Sequence, residues 1–173
     1  MDGSAIFIRR ASSADAPEIY DLVHSEHLNP NSLHWPNFTV ASSEGHIVGA
    51  VQMRKHADGS RELGSLVVVE ALRHRGIAHA MIDALLAEDD QPCWMITTQA
   101  YARAYRRWGF RPIEPAEAPV RVRRNWRIGS LVGLIAPLLL RARHRLVILE
   151  RLPLAIKRPA ARELGHGHRP VLI

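Results

Sequence analysis

The chain has 173 residues, 47% of them hydrophobic and 23% charged, which suits one folded domain with a real core and excludes a disordered segment. Its longest apolar run, residues 128–140, is 13 residues long and includes Pro137, well short of the ~20 that cross a bilayer as a helix. A single cysteine, Cys93, can close no internal disulfide and has no cysteine companion for zinc, so the chain is expected in a reducing, cytoplasmic compartment without a metal site. The opening Met1-Asp2-Gly3-Ser4 is acidic and lacks a leader-like pattern.

In chain order, residues 5–10 alternate as a first strand. Ser12 and Ser13 then offer N-caps, with Asp15 in the first turn of a helix to about His24 whose apolar face is Ala16, Ile19, Tyr20 and Val23. Residues 25–37 are rich in turn formers and read as a loop. Residues 38–42 and 46–55 predict a hairpin around Ser43-Glu44-Gly45. Asp58-Gly59 turns the chain into a strand over 62–69.

That strand ends in Val67-Val68-Val69 and passes through a charged turn into a helical spacing of Ile77, Met81, Ile82, Leu85 and Leu86. A strand that runs through a loop into a helix start presents several unpaired N–H groups, and the helix dipole adds to their pull on an anion. Gly76 lets the backbone come close to such a ligand, while Arg73 and Arg75 bring positive charge. Neither Gly-x-x-x-x-Gly-Lys-Ser/Thr nor a strand-linked Gly-x-Gly-x-x-Gly is present. A buried strand over 93–97 follows, with Cys93 as core filling. Next comes Tyr101-Ala102-Arg103-Ala104-Tyr105-Arg106-Arg107-Trp108-Gly109-Phe110, a short helix capped by Gly109, with Phe110 opening a buried strand. Residues 114–127 read as a Pro- and Arg-rich connector, and 128–140 as an apolar helix followed by a last strand at 146–149. One domain over 1–152, with its motifs in 5–113 and a helix and strand in 128–152, then leaves 153–173 as a basic tail.

Arg73-x-x-Gly76-x-Ala78 and the later Tyr105-x-x-x-Gly109-Phe110, in this order, resemble two motifs of the GCN5-related N-acetyltransferase (GNAT) superfamily. The resemblance implies an α/β fold of the α+β kind: a mixed, mostly antiparallel twisted sheet flanked by helices, with a splayed strand pair holding acetyl-CoA. It implies that Leu66, Val67, Val68, Arg73, His74, Arg75, Gly76, Ile77, Ala78 and Thr98 contact the coenzyme. Thr98 stands where many members have asparagine, and Ala104 where a bulky residue is usual. By the same resemblance Tyr105 is the acid that protonates the leaving thiolate. Glu62, 11 residues before Arg73, resembles the glutamate base of the histone-acetylating branch.

Such an enzyme would acetylate a primary amine by direct attack in a ternary complex, most simply a small molecule such as an amino acid. A protein N-terminus or a lysine is the alternative acceptor. Glu26, His27, Asn29 and Trp35 are the acceptor-side candidates. No clustered His and carboxylate set suggests a metal. Charge is uneven, with 7 Lys/Arg against 13 Asp/Glu in residues 1–100 and 16 against 4 afterwards. The second class of function is therefore a CoA-binding module whose basic C-terminal third docks RNA or a membrane surface. Trp126 is the only aromatic after Phe110, a poor supply for stacking bases. The apolar helix has three candidate partners: the sheet, a second copy in a homodimer, or an anionic membrane.

Overall fold

The computed structural model describes residues 5–26, 28, 32–88, 91–135 and 145–153, with the backbone alone for 132–135. Apolar alternation builds β1 (Phe7–Arg10), β2 (Phe38–Ser43), β3 (His46–Lys55) and β4 (Arg61–Val68). β5 (Cys93–Thr98), β6 (Arg111–Ile113) and β7 (Leu146–Arg151) complete one sheet in the order β1-β2-β3-β4-β5-β7-β6. Every neighbouring pair is antiparallel except β4–β5. The β2–β3 hairpin turns on Glu44 and Gly45, both at positive φ (50° and 86°), the geometry that matches strand twist.

The helices α1 (Ala16–Ser25), α2 (Ile77–Ala87) and α3 (Val120–Ile135) cover the two faces. On one face Met81, Ile82, Leu85 and Leu86 of α2 pack with Val51, Met53, Leu63, Met95 and Leu149. Burying each such side chain contributes about 1.5–3 kcal/mol before entropy is counted. On the other face Ile19 and Val23 of α1 meet Phe38, Val40, Ala50 and Val67. Farther along this face Val122 and Trp126 of α3 meet Trp94, Ile96 and Ile148.

Four expectations need correction. Tyr20 is half exposed and stacks on His24 rather than joining the apolar face of α1. Phe110 is buried, but the strand it introduces is an edge strand with Arg111 and Pro112 exposed. The connector expected at 114–127 is helical from Val120. Its first turn is fixed from a distance, because Asp58 in the β3–β4 turn accepts the Arg121 N–H at 3.1 Å, an N-terminal cap that no local sequence signal announces. Finally, Ile128 and Leu131 face outward instead of packing inward. Residues 136–140 of the expected apolar helix, residues 141–144 after it, and the tail from 154 on lie outside the described residues.

Candidate functional site

β4 and β5 are joined at only two register pairs, Glu62 with Trp94 and Leu63 with Met95. Both strands continue, to Val68 and Thr98, so they part into a wedge. The parting begins at a bulge. Ser65 and Leu66 of β4 together oppose Val51 of β3, and Ser65 sits at φ 50°, a position a non-glycine residue adopts rarely. Thr98 lies at the far end of β5, and its hydroxyl is buried without a hydrogen-bond partner. An orphaned donor on the wedge wall fits a bound molecule with carbonyl groups.

At the open end of the wedge stands the loop between β4 and α2. His74 and Gly76 both adopt left-handed backbone (φ 65° and 80°) on either side of Arg75, which curls successive N–H groups around a concavity. Gly76 is the N-cap of α2 and no side chain caps the helix. The Ala80 N–H is bonded to the Gly76 carbonyl at 3.0 Å, so the N–H groups of Ile77, Ala78 and His79 precede the first intrahelical bond. A Cβ on Gly76 would meet nothing within 4 Å; the glycine answers to its φ, and the space above it is open. Residues 73–76 are exposed, whereas Ile77 is anchored in the core.

Arg73 is held down rather than offered to a ligand. Its Nε donates to the Val68 carbonyl at 2.9 Å and its guanidinium pairs with Glu26 at 2.5 Å. Glu26, an acceptor-side candidate from the sequence, thus ties the end of α1 to the loop. Arg75 and His74 are exposed at the rim. Trp35 opens a short 3-10 turn and is partly exposed, while His27 and Asn29 lie outside the described residues.

Tyr105 sits in a 3-10 turn (Ala104–Trp108) that Gly109 ends at φ 82°. Its ring lies 5.9 Å from Trp108 and 6.2 Å from Phe110, edge-on to the latter. Trp108 is braced on α2 by stacking on His79 at 5.3 Å and by donating its indole N–H to Asp83 at 2.5 Å. Burial, with a smaller contribution from Tyr101, pushes the Tyr105 phenol above its ordinary value, so it stays protonated. Cys93 is fully buried and its thiol is pushed up to about 11 by desolvation, which makes it inert core.

Glu62 lies on the opposite face of the sheet from Tyr105, since Leu63 and Met95 belong to the α2 cluster that Tyr105 joins and adjacent strand residues alternate. The residue is only 3% exposed. It accepts from Arg54 at 3.0 Å and Asn125 at 2.9 Å and lies 3.1 Å from His56 Nε2. Instead of standing open to a cleft, it is the centre of a buried polar floor. Arg54 also donates to Ser65 Oγ at 2.8 Å. Its guanidinium lies flat over Gly64, where a Cβ would come within 2.9 Å of it. With its amide oriented to satisfy every neighbour, Gln52 accepts from Ser65 at 2.9 Å and from Arg54 Nε at 3.1 Å, and donates to the Ser32 carbonyl at 3.2 Å. Gln52 and Arg54 alternate along β3 with the apolar Val51 and Met53, and His56 follows two residues on, just past the end of the strand. That period-two polar face was the sequence signal for these missed residues; Asn125, 63 positions from Glu62, gave none.

The wedge therefore connects two faces: an anion-ready loop and a buried phenol on one, a fixed charged floor on the other. Residues 34–112 match the family model for the acetyltransferase (GNAT) domain. No curated protein matches the chain. Among solved structures it is similar to N-acetylglutamate synthase from Neisseria gonorrhoeae, complexed with coenzyme A and L-arginine, at 18% identity and TM-score 0.65. That alignment covers 87% of this chain but only 34% of the Neisseria enzyme, so the chain spans about a third of that protein. A Mycobacterium tuberculosis protein solved with CoA aligns at 22% identity and TM-score 0.63, covering 86% of this chain and 99% of its own. Diaminobutyrate acetyltransferase from Paenibacillus lautus, in complex with L-2,4-diaminobutyric acid and coenzyme A, aligns at 14% identity and TM-score 0.56, covering 87% and 96%.

Proposed function

We propose that this chain, which carries a GNAT acetyltransferase domain, moves the acetyl group of acetyl-CoA to the primary amine of a small molecule, an amino acid being the best-supported class. The observation that carries the reading is the wedge between β4 and β5 with the uncapped α2 N-terminus at its open end. The diphosphate of the co-substrate would take the N–H groups of 76–79, and the pantetheine arm would run down the wedge past Thr98 to the bulge at Leu66. The neutral amine attacks the thioester carbonyl from the Glu62 face and forms the C–N bond; the adduct nitrogen gives its extra proton to solvent, the C–S bond breaks, the thiolate takes the Tyr105 proton, and the phenolate is reprotonated from solvent. The amide and free CoA leave, and no covalent enzyme intermediate is needed. In this reading Glu62 takes the ammonium proton through a water, because its carboxylate is covered by protein donors.

Support for an amino acid comes from the relatives solved with amino-acid ligands. Thiol release from acetyl-CoA, measured against amino acids, polyamines, peptides with free N-termini and lysine peptides, tests it. Turnover confined to peptides would overturn the small-molecule acceptor, and no release with any amine would overturn the activity.

Tyr105→Phe should lower kcat about tenfold to a thousandfold with acetyl-CoA affinity nearly unchanged. Because the phenol is raised by burial, the wild-type rate should show no loss of this acid until pH exceeds about 10. A Phe variant with full kcat and altered thermal stability would return Tyr105 to the core.

A further inference from the structure

We propose that the outward stripe of α3 docks on an anionic lipid surface. The apolar residues that ought to be hidden are on show: Val120 is 65% exposed, Ile128 49% and Leu131 60%. With Arg121, Arg124 and Arg127, all exposed, they recur at spacings of three and four and so share one side of the helix. The opposite side is spent on the sheet through Val122, Asn125 and Trp126, which fixes the orientation of the stripe. From Val120 to Leu131 the stripe is about 16 Å long at helical rise.

The kind of partner follows from charge. α3 contains no acidic residue, and no ion pair among the described residues involves Arg121, Arg124 or Arg127. Arginines interleaved with large aliphatic side chains suit a surface that is anionic outside and apolar a few ångströms beneath, where guanidinium groups meet headgroups and the aliphatic side chains enter the acyl boundary. A nucleic acid would give the arginines partners and leave Val120, Ile128 and Leu131 in water. A second copy would bring arginine against arginine. No helix among the described residues is long and apolar enough to cross a membrane, so the contact is with the surface. The proposal is independent of the acetyl-transfer reading.

The full chain is pelleted with vesicles of phosphatidylcholine alone and of phosphatidylcholine mixed with phosphatidylglycerol. Pelleting is expected with the anionic vesicles, to fall steeply with added salt, and to survive inorganic phosphate at matched ionic strength. Arg124→Gln should weaken it about fivefold, and Ile128→Ser with Leu131→Ser about tenfold or more. All three substitutions are at exposed positions, and unchanged far-UV circular dichroism and melting confirm the fold. A wild-type chain that stays in the supernatant overturns the proposal. So does a double-serine variant that pellets like wild type, since the apolar half of the contact would then be absent. Binding to polyuridylate without pelleting assigns the stripe to nucleic acid, and a dimer that the double-serine variant abolishes assigns it to a second copy; either result overturns the lipid assignment.

Discussion

Glu62→Ala should destabilise the fold by about 3–5 kcal/mol, read as a fall in the urea midpoint. The cost comes from what stays behind. Glu62 is 3% exposed and Arg54's side chain only 11%, so removing the carboxylate strands a guanidinium in low dielectric with Ser65 and Gln52 as its remaining partners. Asn125 and His56 lose an acceptor as well. Glu62→Gln keeps the volume and one acceptor oxygen, so it should lose clearly less stability. Arg54→Met in the Glu62→Ala background should restore part of the loss, because an uncharged pair no longer needs a counter-ion. Equal stability of the alanine variant and wild type would mean that water reaches the site freely. The glutamine variant then separates scaffold from chemistry. If Glu62 is the base, kcat/KM of Glu62→Gln loses its acidic limb, and the loss is larger for a strongly basic amine than for a weakly basic one. An equal loss for both amines would leave Glu62 as a positioning residue for Arg54.

The second large effect is expected at Gly76. Its φ of 80° and ψ of 0° lie where a β-branched residue is a genuine outlier. Gly76→Val would flip the loop out of the left-handed region and redirect the N–H groups that precede the first bond of α2. Its side chain would also stand in the open space above the loop. Acetyl-CoA affinity, measured by titration calorimetry, should fall more than about a hundredfold, equivalent to about 3 kcal/mol. Global stability should change little, since the loop is exposed and Ile77 still anchors the helix. Gly76→Asn, which tolerates this backbone, should keep much of the binding, and Arg75→Ala should weaken it only moderately. Unchanged affinity in the valine variant would sink the assignment of this loop.

What could be foreseen here was what is local. The β2–β3 hairpin, the tight turn at Gly76 before α2 and the Gly109 cap are each written within ten residues, by a turn dipeptide, a glycine or a period. The start of α3 was missed because only Val122 and Trp126 give an inward face among four arginines in residues 121–127, a composition that reads as a solvated linker. The floor around Glu62 was missed for a different reason. It needs β3, β4 and α3 brought together, and no single segment carries the pattern. Gly64 illustrates the point: in sequence it is a weak spot in a strand, and in space it is the berth for Arg54.

The last strand of the sheet is not at its edge. β7 lies between β5 and β6 and pairs with both, although it is the final element of the described chain. A chain emerging in order from its N-terminus can complete β1 through β4 as successive antiparallel pairs, with α1 between the first two strands and short turns joining the rest. It cannot bring β5 and β6 into register, because the strand that separates them is still missing. Until residue 151 is available, two strand edges and the apolar side of Ile148 and Leu149 have no mate. The chain's vulnerable period therefore lasts until β7 has been made, and an early stop near residue 145 would leave a sheet with a gap in its middle rather than one strand short at its border.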